Sequence, residues 1–139
     1  MPYLTKSKKP ESIVVIMEEA ITILVSVGIP VDDKTERSLE RMAMAFLAVA
    51  GVTEKWIEAK GYEEQRFLKT RDIINFNNTN FEEAISSGSY DDIRRKDLKL
   101  LVLAGLIVNS AENPNAATND PTRGYTLETS LKNLVRTYK

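Results

Sequence analysis

The sequence gathers hydrogen-bond donors in one short run. Ser89, Tyr90, Arg94, Arg95 and Lys96 fall close together, and Arg123 follows beside Pro121 and Gly124. A guanidinium offers a planar fork of N–H groups that fits phosphate oxygens or the O6/N7 edge of guanine, while hydroxyls and an ammonium add single contacts to phosphate. Asp91 and Asp92 interrupt the run; they can cap a helix, accept from a cytosine amino group or repel wrong partners. Exposed arginines also serve simply as a solvated face, so their placement on an element has to decide between the two readings. Much other chemistry is closed by composition. The 139 residues include no Cys and no His, which removes disulfides, thiolate nucleophiles, Cys-type zinc sites and the commonest general base at neutral pH. Carboxylate and lysine chemistry, such as Mg²⁺-assisted phosphodiester cleavage, stays open.

Charge supports an anionic partner only weakly. The chain as a whole is at −1. Residues 1–86 carry 11 Lys/Arg against 14 Asp/Glu, a local net of −3, and residues 87–139 carry 8 against 6, a local net of +2. Bulk attraction on that scale does not make a DNA-coating protein, so any binding must rest on a few placed groups.

The elements that would place them follow from apolar spacing. Pro10-Glu11-Ser12 opens a helix, and the apolar run ends at Gly28-Ile29-Pro30. That run, Ile13 to Val27, is apolar on more than one face and so must be sandwiched, yet it carries Glu18 and Glu19 and is too short to span a bilayer. No small-residue cleavage site follows it, so a cytoplasmic protein with no membrane partner is expected. Asp32 or Asp33 can cap a second helix, roughly Thr35 to Ala50, ending at Gly51. Thr53 can cap a short piece in which Trp56 and Ile57 are core anchors, closing at Gly61. A helix from Arg66 to Phe76 and a short helix over 81–86 precede the turn Ser87-Gly88-Ser89. The stretch 90–108 then reads as one helix that breaks at Gly105 straight into a strand. A long polar loop, the strand Tyr125-Thr126-Leu127, and an amphipathic tail through Leu131, Leu134, Val135 and Tyr138 complete the chain.

Helix, short helix, tight turn, longer helix and hairpin is the order of a winged helix-turn-helix. Leucines one turn apart between Leu98 and Leu103 pack the longer helix onto its neighbours, and Gly105 lets the chain enter the wing. The expected fold is mainly α: a helical segment, 1–65, packed on a winged helix-turn-helix with a two-stranded hairpin wing, 66–139. A recognition helix puts its N-terminal residues against base edges and packs its C-terminal half. That assigns double-stranded DNA contacts to Ser89, Tyr90, Arg94, Arg95, Lys96 and, on the wing, Arg123.

The strings SSGSYDDIRRKDLKLLVLAGLIV (86–108) and NPNAATNDPTRGYTL (113–127), with GIPVDDKTERSLERMAMAFLAVAGV (28–52) upstream, resemble the N-terminal helix-turn-helix region of BsuBI/PstI-type type II restriction endonucleases. The resemblance implies a recognition module attached to a Mg²⁺-dependent nuclease domain that this chain lacks. It also implies a catalytic pattern of an Asp followed by Glu-x-Lys, and Asp32 or Asp33 with Glu58-Ala59-Lys60 is the candidate. Such a Glu-x-Lys needs a strand, where i and i+2 share a face, and TEKWIEAKG reads as helix. The expectation is therefore no catalytic residue, no metal site and no small-molecule cofactor in this chain. Two rival readings use the same fold. One is a protein-interaction module that homodimerises through the oily first helix, with an architectural winged helix. The other is a free-standing transcriptional regulator acting on a palindromic site.

Overall fold

The computed structural model describes residues 3–89, 92–109 and 124–138. Its centre is α2 (Glu36–Ala50), in which every residue from Met42 to Ala50 is buried. The pattern of small alanines between Met42, Met44, Phe46 and Leu47 lets neighbours approach on all sides. Packed against it are α1 (Glu11–Ser26), α3 (Thr70–Asn80), the start of the recognition helix and the second strand of the wing. The helix begins at Thr35, whose hydroxyl oxygen accepts from the Ser38 N–H at 3.1 Å, and not at Asp32 or Asp33. Threonine directly before the first helical residue reaches the free amides that an aspartate two or three residues back does not. Gly51, at φ +75°, ends it.

α1 starts behind Pro10 and buries Ile16, Met17, Ala20, Ile21, Ile23 and Leu24. It is less enclosed than its apolar run implies, because Val15 and Val25 lie on the surface. Its two glutamates are half-buried and occupied. Glu18 accepts from the backbone N–H groups of Tyr3 and Leu4, and Glu19 accepts from Trp56 Nε1 at 2.9 Å.

Downstream of α2 the structure departs from expectation in four places. Trp56 is a core anchor, with ring centroids of Phe46 and Tyr138 each at 6.1 Å, but Ile57 is exposed. Residues Trp56–Glu58 form a single 3₁₀ turn, which directs one large side chain inward and the next one out. The turn is closed by Glu58, whose Oε1 accepts from the amides of Thr53, Glu54 and Lys55; Thr53 is not the cap. α3 starts four residues later than Arg66. Arg66 instead donates to the carbonyls of Ala48 and Val49 at the end of α2, and Leu68 pairs in extended conformation with Tyr125. Finally, residues 81–86 are not helical, and α3 continues through the asparagine-rich stretch to Asn80. Asn78 holds the segment after it open, donating to the Ile85 carbonyl and accepting from the Ile85 N–H. α3 thus supplies the second helix of the motif that the sequence places at 81–86.

After a 3₁₀ turn at Ser87–Ser89, residues Ile93–Leu98 form a π-helical stretch that continues as α4 (Lys99–Leu103). Gly105, at φ +78°, breaks it, and β1 (Ile107–Asn109) follows as expected. The leucine string divides: Leu98 and Leu101 are fully buried, whereas Leu103 is exposed. β1 pairs antiparallel with β2 (Tyr125–Leu127), in the register Ile107 to Leu127 and Asn109 to Tyr125. Leu68 adds an isolated rung on the other edge of β2, exchanging hydrogen bonds with Tyr125 at 2.9 and 2.7 Å. α5 (Thr129–Val135) is capped by Glu128 and turns Leu131 and Val135 inward, leaving Leu134 on the surface. Among the described residues no helix is long and apolar enough to cross a membrane. The result is the mainly helical winged helix-turn-helix read from the sequence, with a two-stranded wing.

Candidate nucleic-acid interface

The π-helical start of the recognition helix separates its side chains cleanly. Ile93, Asp97 and Leu98 face the core, and Arg94, Arg95 and Lys96 are exposed one after another. The wider turn of a π-helix, with its i to i+5 bonding, is a form concentrated at functional sites. Lys96 lies 3.7 Å from Asp92 one turn back, an exposed i,i+4 pair of small energetic weight. Asp92 makes no side-chain capping bond to the helix start. Ser89 is half-buried at the preceding turn, 3.0 Å from the Ser86 hydroxyl. So three of the six expected contacts, Arg94, Arg95 and Lys96, sit on one helix start, and Ser89 sits on the turn before it. Tyr90 and Arg123, with Asp91 and the wing loop 110–123, lie outside the described residues.

Behind this basic edge lies a set of charges that sequence reasoning missed. Asp97 points inward from the recognition helix and pairs with Arg41 of α2 at 3.2 Å. Arg37, one turn earlier on α2, pairs with Glu40 and, at 2.6 Å, with Glu83 of the segment leading to the helix. Lys9 of the N-terminal arm also pairs with Glu83 and donates to the carbonyls of Phe81 and Glu82. A groove lined by Arg37, Arg41, Glu83, Ser86, Ser89 and Asp92 runs beside the helix start. One signal was legible: Asp97 falls on the apolar stripe Ile93, Asp97, Leu101, and a charge there calls for a buried partner.

These pairings set opposing proton affinities. Burial raises the Asp97 carboxyl above the ordinary aspartate value, and the Arg41 charge only partly offsets this. Burial alone would also raise Glu83, but hydrogen bonds and charge from Arg37 and Lys9 outweigh it and hold that carboxyl low. Glu36 is held low by the Lys6 amide and the Thr5 hydroxyl, and Glu128 by the amides it caps. Lowered carboxylates contribute stability above their unfolded pKa and lose it as pH falls through the folded value; raised Asp97 has the opposite sign. The lowered group is the larger, so urea melts are expected to show stability falling as pH drops below the usual glutamate range near 4.5. Stability that stays flat from pH 6 to about pH 3 would contradict this assignment of partners.

The Glu58-Ala59-Lys60 run does not have the strand setting that the expected Glu-x-Lys pattern needs. Glu58 sits on a 3₁₀ turn, not a strand, and its Oε1 already serves three backbone amides. Burial raises its carboxyl, but those amides prevail and keep it low. No group of three or more acidic side chains able to hold a metal occurs among the described residues.

The likeness to known proteins matches this geometry. The structure of SdaI restriction endonuclease superposes with a TM-score of 0.67 at 25% sequence identity, over 88% of this chain and 36% of that one. The chain therefore spans about a third of that enzyme's length. No curated protein matches. The family model described as the BsuBI/PstI restriction endonuclease HTH domain matches residues 15–139, which takes in α2, the helix-turn-helix, the wing strands and α5. By that match over nearly its whole length, the chain belongs to the BsuBI/PstI restriction endonuclease HTH domain family.

Proposed function

We propose that this chain is a double-stranded-DNA-binding recognition module of a type II restriction endonuclease, with cleavage performed by a separate Mg²⁺-dependent nuclease domain. The observation that carries the reading is the divided recognition helix. Ile93, Leu98 and Leu101 seat it on the core while Arg94, Arg95 and Lys96 stand outward at the end that enters a major groove. Ser89 at the preceding turn, together with Tyr90 and Arg123, supplies phosphate contacts. In this reading the chain supplies recognition alone, and the Asp32/Asp33 and Glu58-Ala59-Lys60 pattern takes no part in cleavage.

Fluorescence anisotropy of the full chain with a short duplex tests this. Binding is expected to weaken steeply with salt, with a log–log slope of roughly −3 to −6 for contacts to a handful of phosphates. Absence of binding at about 50 mM salt would contradict the reading. A second reading has one observation in its favour: exposed Val15 and Val25 on α1 are apolar surface that a second copy would cover. Sedimentation over a range of protein concentrations separates the two, because a DNA module built on one copy stays monomeric while it binds.

A further inference from the structure

We propose that the Arg41–Asp97 ion pair is a positioning device for the recognition helix. It fixes the seating of Ile93–Leu98 on α2, and hence the aim of Arg94 and Arg95, without touching DNA. The inference rests on the DNA-binding reading and goes beyond it by assigning specificity to residues behind the interface.

Stability does not explain the pair. The Asp97 side chain is only 8% exposed and lies on the same inward stripe as Ile93, Leu98 and Leu101. Removing a carboxylate from water at such a place is costly, and apolar side chains of similar size commonly replace buried pairs with no loss of stability. What a leucine cannot supply is direction. Apolar contacts between helices tolerate small slides and rotations, whereas an ion pair at 3.2 Å defines both the register and the roll of the helix. A bidentate contact to a base edge needs placement within roughly 0.5 Å, so the roll matters for reading bases and much less for gripping phosphates.

The surrounding charges point the same way. Lys9, Arg37 and Arg41 face Glu40, Glu83 and Asp97, three cations against three carboxylates, each in an ion pair. A balanced set offers little attraction to phosphate, which argues against a backbone-contact role for Arg41. The same frame grips the approach to the helix, because Lys9 holds the carbonyls of Phe81 and Glu82 and Asn78 holds Ile85 on both backbone groups. The helix start is thus located from the core side by Asp97 and from the chain side by the 81–86 segment.

The test uses the full chain and two duplexes: one selected by the wild-type chain from a randomised pool, and a scrambled duplex of the same composition. In Arg41→Met, the preference for the selected duplex is expected to fall at least about tenfold, while affinity for the scrambled one stays within about twofold and its salt slope is unchanged. Arg41→Lys is expected to restore most of the preference, and circular dichroism checks that each variant is folded. If Arg41→Met does not fold, Asp97→Asn, which keeps the shape and removes the charge, carries the same comparison. A folded variant that keeps the full preference overturns the proposal. So does an equal loss on both duplexes with a salt slope smaller by about 0.9, the mark of one lost phosphate contact. Wild-type chain that enriches no duplex from the pool and does not bind the pool itself refutes the DNA-binding reading, a result distinct from either of these.

Discussion

Replacing Arg94 and Arg95 together by alanine is expected to weaken duplex binding by about 2–4 kcal/mol, roughly thirty- to several-hundred-fold, with folding stability changed by less than about 1 kcal/mol. The size follows from their place. Both are exposed on the π-helical start of the recognition helix, the part of the motif that meets base edges, and each guanidinium can make two parallel bonds to a guanine. The small effect on folding follows from the same exposure, since surface ion pairs of arginine contribute little to stability. The core below them, Ile93, Leu98 and Leu101, is left intact. Anisotropy titrations and thermal melts of the double variant check both halves. Binding unchanged within twofold, or a melt lowered as far as a core deletion would lower it, would show that these side chains are a solvated face or a structural prop.

The second large effect is on the wing. Gly124→Ala is expected to destabilise the domain by about 2–4 kcal/mol, from backbone strain added to overpacking. Gly124 has φ +145°, and a Cβ there would stand 2.8 Å from the backbone carbon and oxygen of Leu68 and 3.1 Å from its nitrogen. Backbone atoms cannot swing aside as a side-chain end can. The substitution would therefore push apart the Leu68–Tyr125 rung that joins the wing to the segment before α3. Denaturant melts measure the loss, and Gly88→Ala serves as a control, because a Cβ at Gly88 meets nothing within 4 Å. Equal melts for the two variants would contradict the close packing described for this edge.

How much of this was legible in the sequence depends on whether the deciding interaction was local. α1 starts behind Pro10, and α1 and α2 end where Gly28 and Gly51 say, because a helix-starting proline and a positive φ are written in neighbouring residues. Gly105 marks the break into the wing for the same reason. The misplaced caps are local choices between near neighbours, Thr35 over Asp32 or Asp33 and Glu58 over Thr53, whereas the misplaced helix bounds depend on contacts beyond their own turn. Arg66 to Leu68 look helical by spacing, yet Tyr125 claims Leu68 and the end of α2 claims Arg66. FEEAIS has good helix formers, but Asn78 and Lys9 occupy its backbone groups and hold it open. At the interface, the outward run Arg94 to Lys96 was readable from its offset against Ile93 and Leu98. The Asp97 anomaly was visible as a charge on an apolar stripe, but its partner on α2 was not, since no local rule connects residue 41 to residue 97.

Amide chemical-shift mapping of the full 139-residue chain, titrated with a short DNA duplex, tests the central claim most directly. The account predicts the largest shifts at Ser89 and from Arg94 to Lys99, with smaller ones in the wing strands and none on the outer face of α1 around Val15 and Thr22. Shifts confined to that face of α1, or none anywhere under conditions where the chain is folded, would contradict it.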